Sequence, residues 1–142
     1  MAAERALVDT GPLVALLNAK DAAHASCSAA IADLTKPLIS SWAVLAEAAW
    51  LLQNTHDGLQ GLMRLVAEGV VECPPLDSAS ADWIATCQRR YADLHPQLAD
   101  LTLLYLAHRE KIGLIFTLDR RDFLVFRNDE NKAFRLTPAN NS

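Results

Sequence analysis

The fold is decided first by the stretch ALVDTGPLVALL, residues 6–17. Its opening apolar residues predict a short buried strand, which delivers Asp9 into a turn. Thr10 and Pro12 then resemble a helix cap followed by a proline in the first helical turn. In open α/β sheets, ligands bind beyond the carboxyl ends of the strands, so this stretch places Asp9 where a ligand would bind.

The rest of the chain alternates short apolar strands with longer helices, as a parallel sheet with helical crossovers requires. Continuous apolar runs such as Leu38-Ile39 and Leu114-Ile115-Phe116 are typical of strands that are buried on both faces. We therefore predict an α/β fold built on a parallel sheet. The predicted strands are 4–9, 38–40, 69–72, 113–117 and one near 133–136, and the predicted helices are 12–18, 22–34, 41–54, 57–68, 78–92 and 98–110.

Length and composition predict one ordered domain over 1–142, with 138–142 expected to be a loose tail. Apolar residues make up 51% and charged residues 21%, which argues for a globule with a core rather than a disordered chain. Three widely spaced cysteines without a CxxC motif indicate neither a disulfide framework nor a zinc site. No signal-peptide pattern or membrane-spanning apolar stretch is present, so we expect a cytoplasmic protein.

The formal net charge of −4 does not predict nucleic-acid binding, because nucleic-acid-binding domains are usually basic. Any contact with phosphates would depend on local basic patches or on a bound metal. The candidate patches, each equally well explained as solvated surface, are Arg89-Arg90, Arg109 with Lys111, Arg120-Arg121, and Arg127 with Arg135.

Four acids interrupt or follow apolar runs: Asp9, Glu47, Asp100 and Asp119. Asp9 and Asp119 each follow a predicted strand, and Asp100 enters the first turn of an apolar helix. Glu47 lies mid-helix, and its neighbours three and four positions away are apolar, so we expect its carboxylate among buried side chains and in need of a partner. Those neighbours are Ala43, Val44, Trp50 and Leu51. The four acids could converge at one edge of the sheet.

Such convergence would be costly without a counter-charge. Two unit charges about 4 Å apart repel by about 4 kcal/mol at an effective dielectric constant of 20, which is a large part of the stability of a typical domain. A hard divalent cation would offset this repulsion, because carboxylate and water oxygens suit magnesium and manganese. Alternatively, some of the acids could take up protons.

Each acid also has a purely structural interpretation. Asp9 could cap a helix, Asp100 could be a first-turn acid favoured by the helix dipole, and Asp119 could form a turn. Neither helix capping nor the helix dipole explains Glu47, because it lies in the middle of its predicted helix. It could instead pair with a buried arginine.

Other polar and aromatic residues also have both a functional and a structural interpretation. Asp93 and Asp122 could lie at the rim of the same pocket, although we expect both to face solvent. The hydroxyls of Thr10, Ser41 and Thr117 lie beside the acids and could orient a ligand or a water, or act only as caps and turn formers. Trp42 and Trp50 are expected in the core, with a groove for a partner as the alternative.

Several functional classes are excluded by absent motifs. The chain has no HExxH, GxGxxG, GxxxxGK[ST] or GxSxG, which removes zinc-protease, dinucleotide-binding, nucleoside-triphosphate and serine-hydrolase readings. Its four histidines show no metal-ligand spacing.

Taken in order along the chain, the remaining pieces form a recognisable set. They are VDTGPLVALL at 8–17, Asp21 with His24, residues 40–52 around Glu47, Ala99-Asp100, and TLDRRDF at 117–123. This ordered set, which spans nearly the whole chain, resembles the PIN domain family and, within it, the VapC toxins of bacterial toxin–antitoxin pairs.

The resemblance implies a three-layer fold, with a central parallel sheet of about five short strands flanked by helices. It also implies that Asp9, Glu47, Asp100 and Asp119 are catalytic and hold Mg²⁺ or Mn²⁺ for the cleavage of RNA, which leaves a 5′-phosphate and a 3′-hydroxyl. Thr10, Ser41 or Thr117 would orient phosphate or water, and Arg120 or Arg121 would steady the substrate strand. The implied partners are a second copy of the chain and a cognate antitoxin whose C-terminal segment crosses the active-site groove.

Two other functions share part of this pattern. A receiver-type phosphoacceptor domain also gathers acids around magnesium, but it needs an adjacent acid pair after its first strand, where this chain has only Asp9, and a lysine after its last strand, where Thr137-Pro138 stands. A catalytically silent PIN-like domain that binds RNA or a partner protein is the alternative, against which the four retained acids argue.

Overall fold

The computed structural model describes residues 4–139, and residues 140–142 of the expected tail lie outside this range. The strands are β1 (Ala6–Val8), β2 (Leu38–Ile39), β3 (Val71–Glu72), β4 (Leu114–Phe116) and β5 (Arg135–Thr137). The helices are α1 (Thr10–Leu17), α2 (His24–Ala32), α3 (Trp42–Leu51), α4 (Gly58–Ala67), α5 (Ser80–Arg90), α6 (Leu98–Glu110) and α7 (Arg120–Phe123), with a 3₁₀ turn at Ala92–Leu94. No helix within residues 4–139 has the length and apolar character needed to cross a membrane.

The five strands form one parallel sheet in the order β3-β2-β1-β4-β5. The predicted α/β fold with a parallel sheet of about five short strands is therefore confirmed. From the central strand β1, the chain first builds β2 and β3 on one side and later adds β4 and β5 on the other. Strand order thus reverses between β1 and β4, and the crevice at the carboxyl ends of these two strands is where open α/β sheets bind ligands.

The register between β1 and β4 brings the two residues that follow these strands together. Val8 is paired with Phe116, and the backbone N–H of Asp9 donates to the Phe116 carbonyl at 2.9 Å. All three residues of β1 are fully buried, as their continuous apolar run predicted. Asp9 and Thr117 therefore leave the sheet side by side.

Aromatic packing extends the core beyond the sheet. Phe123 of α7 and Phe126 after it are fully buried and meet edge to face, with ring centroids 5.3 Å apart. Tyr91 meets Phe126 in the same manner at 4.9 Å, and its hydroxyl accepts a hydrogen bond from the Arg127 backbone N–H at 3.0 Å. These contacts attach the segment that follows α7 to the end of α5.

The structure differs from the sequence-based expectations at several places. Residues 120–123 form a short helix where only a turn was predicted, since Phe123 enters the core. The first helix begins at Thr10, with Asp9 rather than Thr10 at the cap position. Trp42 and Trp50, expected in the core, are 56% and 67% exposed. The apolar periodicity of α3 did not distinguish a core face from an exposed apolar face.

Ser41 has a structural role that can be tested by Ser41→Ala. Its buried hydroxyl accepts from the Val44 N–H at 3.2 Å, which caps α3, and it lies 2.7 Å from the Thr102 hydroxyl. We expect the free energy of unfolding to fall by about 1–2 kcal/mol, because both the cap and a buried hydrogen bond are lost. Chemical denaturation measures this change. Ser28→Ala, an exposed position within α2, is the matched control, and an equal effect in both variants would contradict the assignment.

Candidate active site

Asp9 is held by residues from the adjacent strand. Its side chain is 7% exposed, and the Thr117 hydroxyl donates to Asp9 Oδ2 at 2.8 Å. The Thr117 hydroxyl in turn accepts from the backbone N–H of Asp119 at 2.9 Å. The three residues form a hydrogen-bonded link between the ends of β1 and β4. Asp9 occupies the cap position of α1, but its side chain makes no capping hydrogen bond further into the helix.

Glu47 reaches the site from α3. The Thr10 hydroxyl donates to Glu47 Oε2 at 3.3 Å, so the partner of this carboxylate is a hydroxyl rather than a buried arginine. Glu47 itself is half-buried, and Trp50 and Leu51 on its helix face are exposed. The expectation of an entirely buried surrounding was therefore wrong. Glu47 lies at the boundary between the core face of α3 and its exposed apolar face.

Asp100 and Asp119 each combine a structural hydrogen bond with a place near the other acids. Asp100 Oδ2 accepts from the Gln97 backbone N–H at 3.2 Å, across the first turn of α6. Asp119 Oδ1 accepts from the Asp122 N–H at 3.3 Å and caps α7. The structural interpretation of both residues is thus observed, and it leaves one oxygen of each carboxylate outside these bonds.

The four acids line one pocket of about 310 Å³, which we call the acid pocket. A fifth carboxylate, Asp122, lines it as well, although it was expected to face solvent; Asp93 is not among its lining residues. The spacing of three residues between Asp119 and Asp122 places both near one face of the α7 turn and was the available signal. The remaining lining residues are Thr10, Gly11, Leu51, His95 and Gln97.

The acids are close enough to influence one another's ionisation. Burial raises the pKa of Asp9, and the Asp119 and Glu47 carboxylates add to the rise, while hydrogen bonds from the Thr10 backbone and the Thr117 hydroxyl oppose it. Burial likewise raises the pKa of Asp100 to about 6, against the hydrogen bond from Gln97 and with further increases from Asp9, Asp119 and Glu47. The acid pocket therefore disfavours full ionisation unless a cation enters it.

The donor set suits a hard cation that keeps much of its water. Within residues 4–139, no group of three or more His, Cys, Asp or Glu side chains is spaced to hold a metal ion by itself. Magnesium usually keeps several waters in proteins and is bound by one or two carboxylates together with substrate phosphates. A loose set of oxygen donors around a shared pocket fits that mode and does not fit a closed structural site.

The predicted substrate contacts fall in four different places. Thr10 lines the acid pocket, and Thr117 adjoins it through its bond to Asp9. Ser41 is buried against Thr102 and is inaccessible to a substrate, so its predicted contact with substrate does not fit the structure. Arg120 lines a neighbouring pocket and donates to the Pro138 carbonyl at 3.2 Å. The Arg121 side chain is 89% exposed and lies near Asp122.

Two polar residues of the pocket were not anticipated from the sequence. His95 and Gln97 flank Pro96 and enter the acid pocket from the segment before α6. His95 has a left-handed backbone, with φ at 49°, which ends the 3₁₀ turn and redirects the chain. The only available signal was their position just before Asp100 in the chain.

Comparisons with known proteins agree with this architecture. Ribonuclease VapC26 of Mycobacterium tuberculosis is 29% identical over 134 residues, which covers 93% of this chain and 99% of that protein. The crystal structure of VapC20 from the same species, a sarcin-ricin loop cleaving toxin, is similar with a TM-score of 0.73 at 20% identity, covering 81% of this chain and 90% of that one. The PIN domain model matches residues 6–128. The chain therefore belongs to the PIN domain family.

Proposed function

We propose that this chain is a metal-dependent endoribonuclease that hydrolyses RNA phosphodiester bonds, as the toxin of a toxin–antitoxin pair. The observation that carries the proposal is the acid pocket, in which Asp9, Glu47, Asp100 and Asp119 meet at the ligand-binding edge of the sheet. The relatives that resemble this chain are named as a ribonuclease and as a toxin that cleaves the sarcin-ricin loop. The shared family and the pocket chemistry support the same activity.

Asp9, Glu47, Asp100 and Asp119 would hold Mg²⁺ or Mn²⁺. When bound, such an ion lowers the pKa of a water toward neutrality and offsets the charge on the phosphate oxygens, so no protein nucleophile is required. Carboxylate oxygens favour these hard cations over softer metals. The raised pKa values of Asp9 and Asp100 support the proposal, since they reflect a pocket that is destabilised while its acids are charged and unpaired.

The chain's own contribution is to orient these carboxylates before a substrate arrives. Thr117 fixes Asp9, Thr10 fixes Glu47, and the Gln97 backbone fixes Asp100. Fixed ligands lose little freedom on binding, which favours preorganised electrostatic stabilisation of the reacting phosphate. Before a cation binds, a proton on Asp100 Oδ1 would relieve part of the repulsion, because Oδ2 already accepts from Gln97.

For the substrate we propose contacts from Thr10, Thr117, Arg120 and Arg121, with Ser41 removed from the predicted set because of its burial. Arginine side chains suit phosphate oxygens, since the guanidinium presents several N–H donors in one plane. The overall charge of −4 remains unfavourable to RNA, so binding would depend on the cation and on these local groups.

The proposed protein partners are a second copy of the chain and a cognate antitoxin. Trp42, Ala46 and Trp50 form an exposed stripe on α3 at four-residue spacing. Leu51 continues this apolar surface to the acid pocket, and Leu98 is exposed at the start of α6. Contiguous exposed apolar side chains support protein–protein contact. We also propose that the chain forms one domain and acts in the cytoplasm, which its three free cysteines fit.

The acids can be tested by Asp9→Asn and Glu47→Gln, with cleavage of structured RNAs measured in Mn²⁺ or Mg²⁺ and in EDTA. We expect both variants to lose at least about 100-fold in rate, because even changes to the partners of metal ligands cost about 10- to 100-fold. EDTA should abolish cleavage by the parent. Mn²⁺ should also raise the melting temperature of the parent but not of Asp9→Asn, since ligands that bind only the folded state stabilise it.

Asp93→Asn is the matched control, because Asp93 is exposed and lies outside the acid pocket. It should cleave like the parent. Full activity in Asp9→Asn or Glu47→Gln would overturn the site assignment. RNA binding by the parent without any cleavage would favour the catalytically silent alternative.

The raised pKa of Asp100 predicts how metal-free stability depends on pH. The folded state holds the Asp100 proton up to a higher pH than the unfolded chain does, so this residue lowers stability as pH rises from its ordinary value of 3.8 to about 6. Asp100→Asn should therefore melt several degrees above the parent at neutral pH in EDTA, and the difference should vanish below pH 3.8. Thermal melts across this range measure it. Asp93→Asn should show no such gain, and equal melting of Asp100→Asn and parent at neutral pH would refute the prediction.

A further inference from the structure

A larger pocket of about 560 Å³ lies on the other side of the Thr117–Arg120 segment from the acids, and we call it the side groove. One wall is α2 and the other is formed by the end of β5 with Pro138 and Ala139. Thr117, Leu118 and Arg120 line it from the middle. None of the residues proposed to hold metal contributes to this groove.

Only one short segment separates the side groove from the acid pocket. Leu118 packs against Gly11, where an added Cβ would lie 3.3 Å from the Leu118 Cβ. Thr117 lines the side groove and also donates to Asp9. A linear polymer with one residue bound at the acids could therefore place the neighbouring residue in the side groove.

The α2 wall is built from small side chains and ends in an acid. Ser26, Ala29, Ala30 and Asp33 lie three and four positions apart, so they share one helix face. The two alanines make the surface of this wall smooth and leave the groove open, and the exposed Asp33 provides a carboxylate at its end. In the middle of the groove, Arg120 uses one N–H for the Pro138 carbonyl, which leaves other guanidinium donors for an anion.

We propose that the side groove binds the nucleotide next to the scissile phosphate of an RNA substrate and prefers guanine there; this inference rests on the proposed ribonuclease function. Arg120 contacts the backbone phosphate, and Asp33 accepts hydrogen bonds from the edge of the base. A nucleotide is the class of ligand that carries an anion at one end and N–H donors at the other. An acidic peptide would be repelled by Asp33, and a basic one by Arg120.

The choice of base follows from its donor pattern. Guanine presents two adjacent N–H groups on its Watson–Crick edge, which match the two oxygens of a carboxylate. Uracil has a single N–H between two carbonyl oxygens, and these oxygens would be repelled by Asp33. Carboxylate side chains also accept from cytosine N4, so cytosine should be tolerated better than uracil.

The test uses an RNA library with a randomised single-stranded segment, cleaved in Mn²⁺ and sequenced at the cut ends. The parent should enrich guanine over uracil at one position beside the cut by about tenfold, within the usual range of a specific base contact. Asp33→Asn should reduce that enrichment to near unity and leave other positions unchanged. Ala29→Trp, which places a bulky side chain in the groove, should raise KM and also lose the guanine preference.

Ala32→Trp is the matched control, because Ala32 is an exposed alanine of the same helix that does not line the side groove. It should behave like the parent. Binding is measured separately, by fluorescence anisotropy of guanine- and uracil-containing oligonucleotides on the Glu47→Gln background, where the RNA stays intact. There, Asp33→Asn should remove the difference in Kd between the two oligonucleotides.

The outcomes separate the two claims. Failure of the parent to cleave any RNA overturns the proposed function, and the anisotropy experiment still decides whether the groove discriminates bases. Cleavage or binding without a guanine preference, or with a preference that survives Asp33→Asn and Ala29→Trp, overturns the side-groove inference alone. Loss of antitoxin binding in Ala29→Trp, with RNA selection unchanged, would assign the groove to the protein partner instead.

Discussion

The hydrogen bond from the Thr117 hydroxyl to Asp9 Oδ2 is the contact on which the site depends. It exists because β1 and β4 pair in parallel register, so that the residues following Val8 and Phe116 emerge together. Burial of Asp9 favours its neutral form, and the Thr117 hydroxyl opposes this by bonding to the charged one. The sheet register, together with the hydrogen bond from Thr117, therefore sets the position of the Asp9 carboxylate.

From this point the other acids are added by different parts of the chain. Glu47 comes from α3, Asp100 from α6 and Asp119 from the cap of α7. Each accepts a hydrogen bond that orients it, from a distant residue for Glu47 and from a residue of the same turn for Asp100 and Asp119. Burial and mutual repulsion nevertheless raise the pKa of Asp9 and Asp100. Keeping these acids together therefore lowers the free energy of unfolding of the domain, as is common where side chains are arranged for activity rather than for stability.

Sequence reasoning could predict the sheet and the four acids, because strand and helix periodicity are local signals and each acid interrupts one of them. It could not predict which apolar or polar side chains are buried by the rest of the fold and which remain exposed. Trp42 and Trp50 have the spacing of a core stripe but are exposed, and Ser41 lies beside the acids in the chain but is buried against Thr102. His95 joins the pocket through tertiary packing that no local pattern encodes, whereas the three-residue spacing from Asp119 was a local signal for Asp122.

The anchoring of α7 has a consequence that reaches beyond the pocket. A four-residue helix has little stability of its own, and α7 is retained because Phe123 is fully buried and stacks edge to face with Phe126. Asp119 and Asp122, on the outer side of the same turn, therefore inherit their rigidity from the hydrophobic interior. Replacing one of these aromatic rings would leave the residues that line the acid pocket unchanged, yet it would loosen two of the pocket's carboxylates at once. The hydrophobic interior therefore helps to set the geometry of a pocket to which it contributes no side chain.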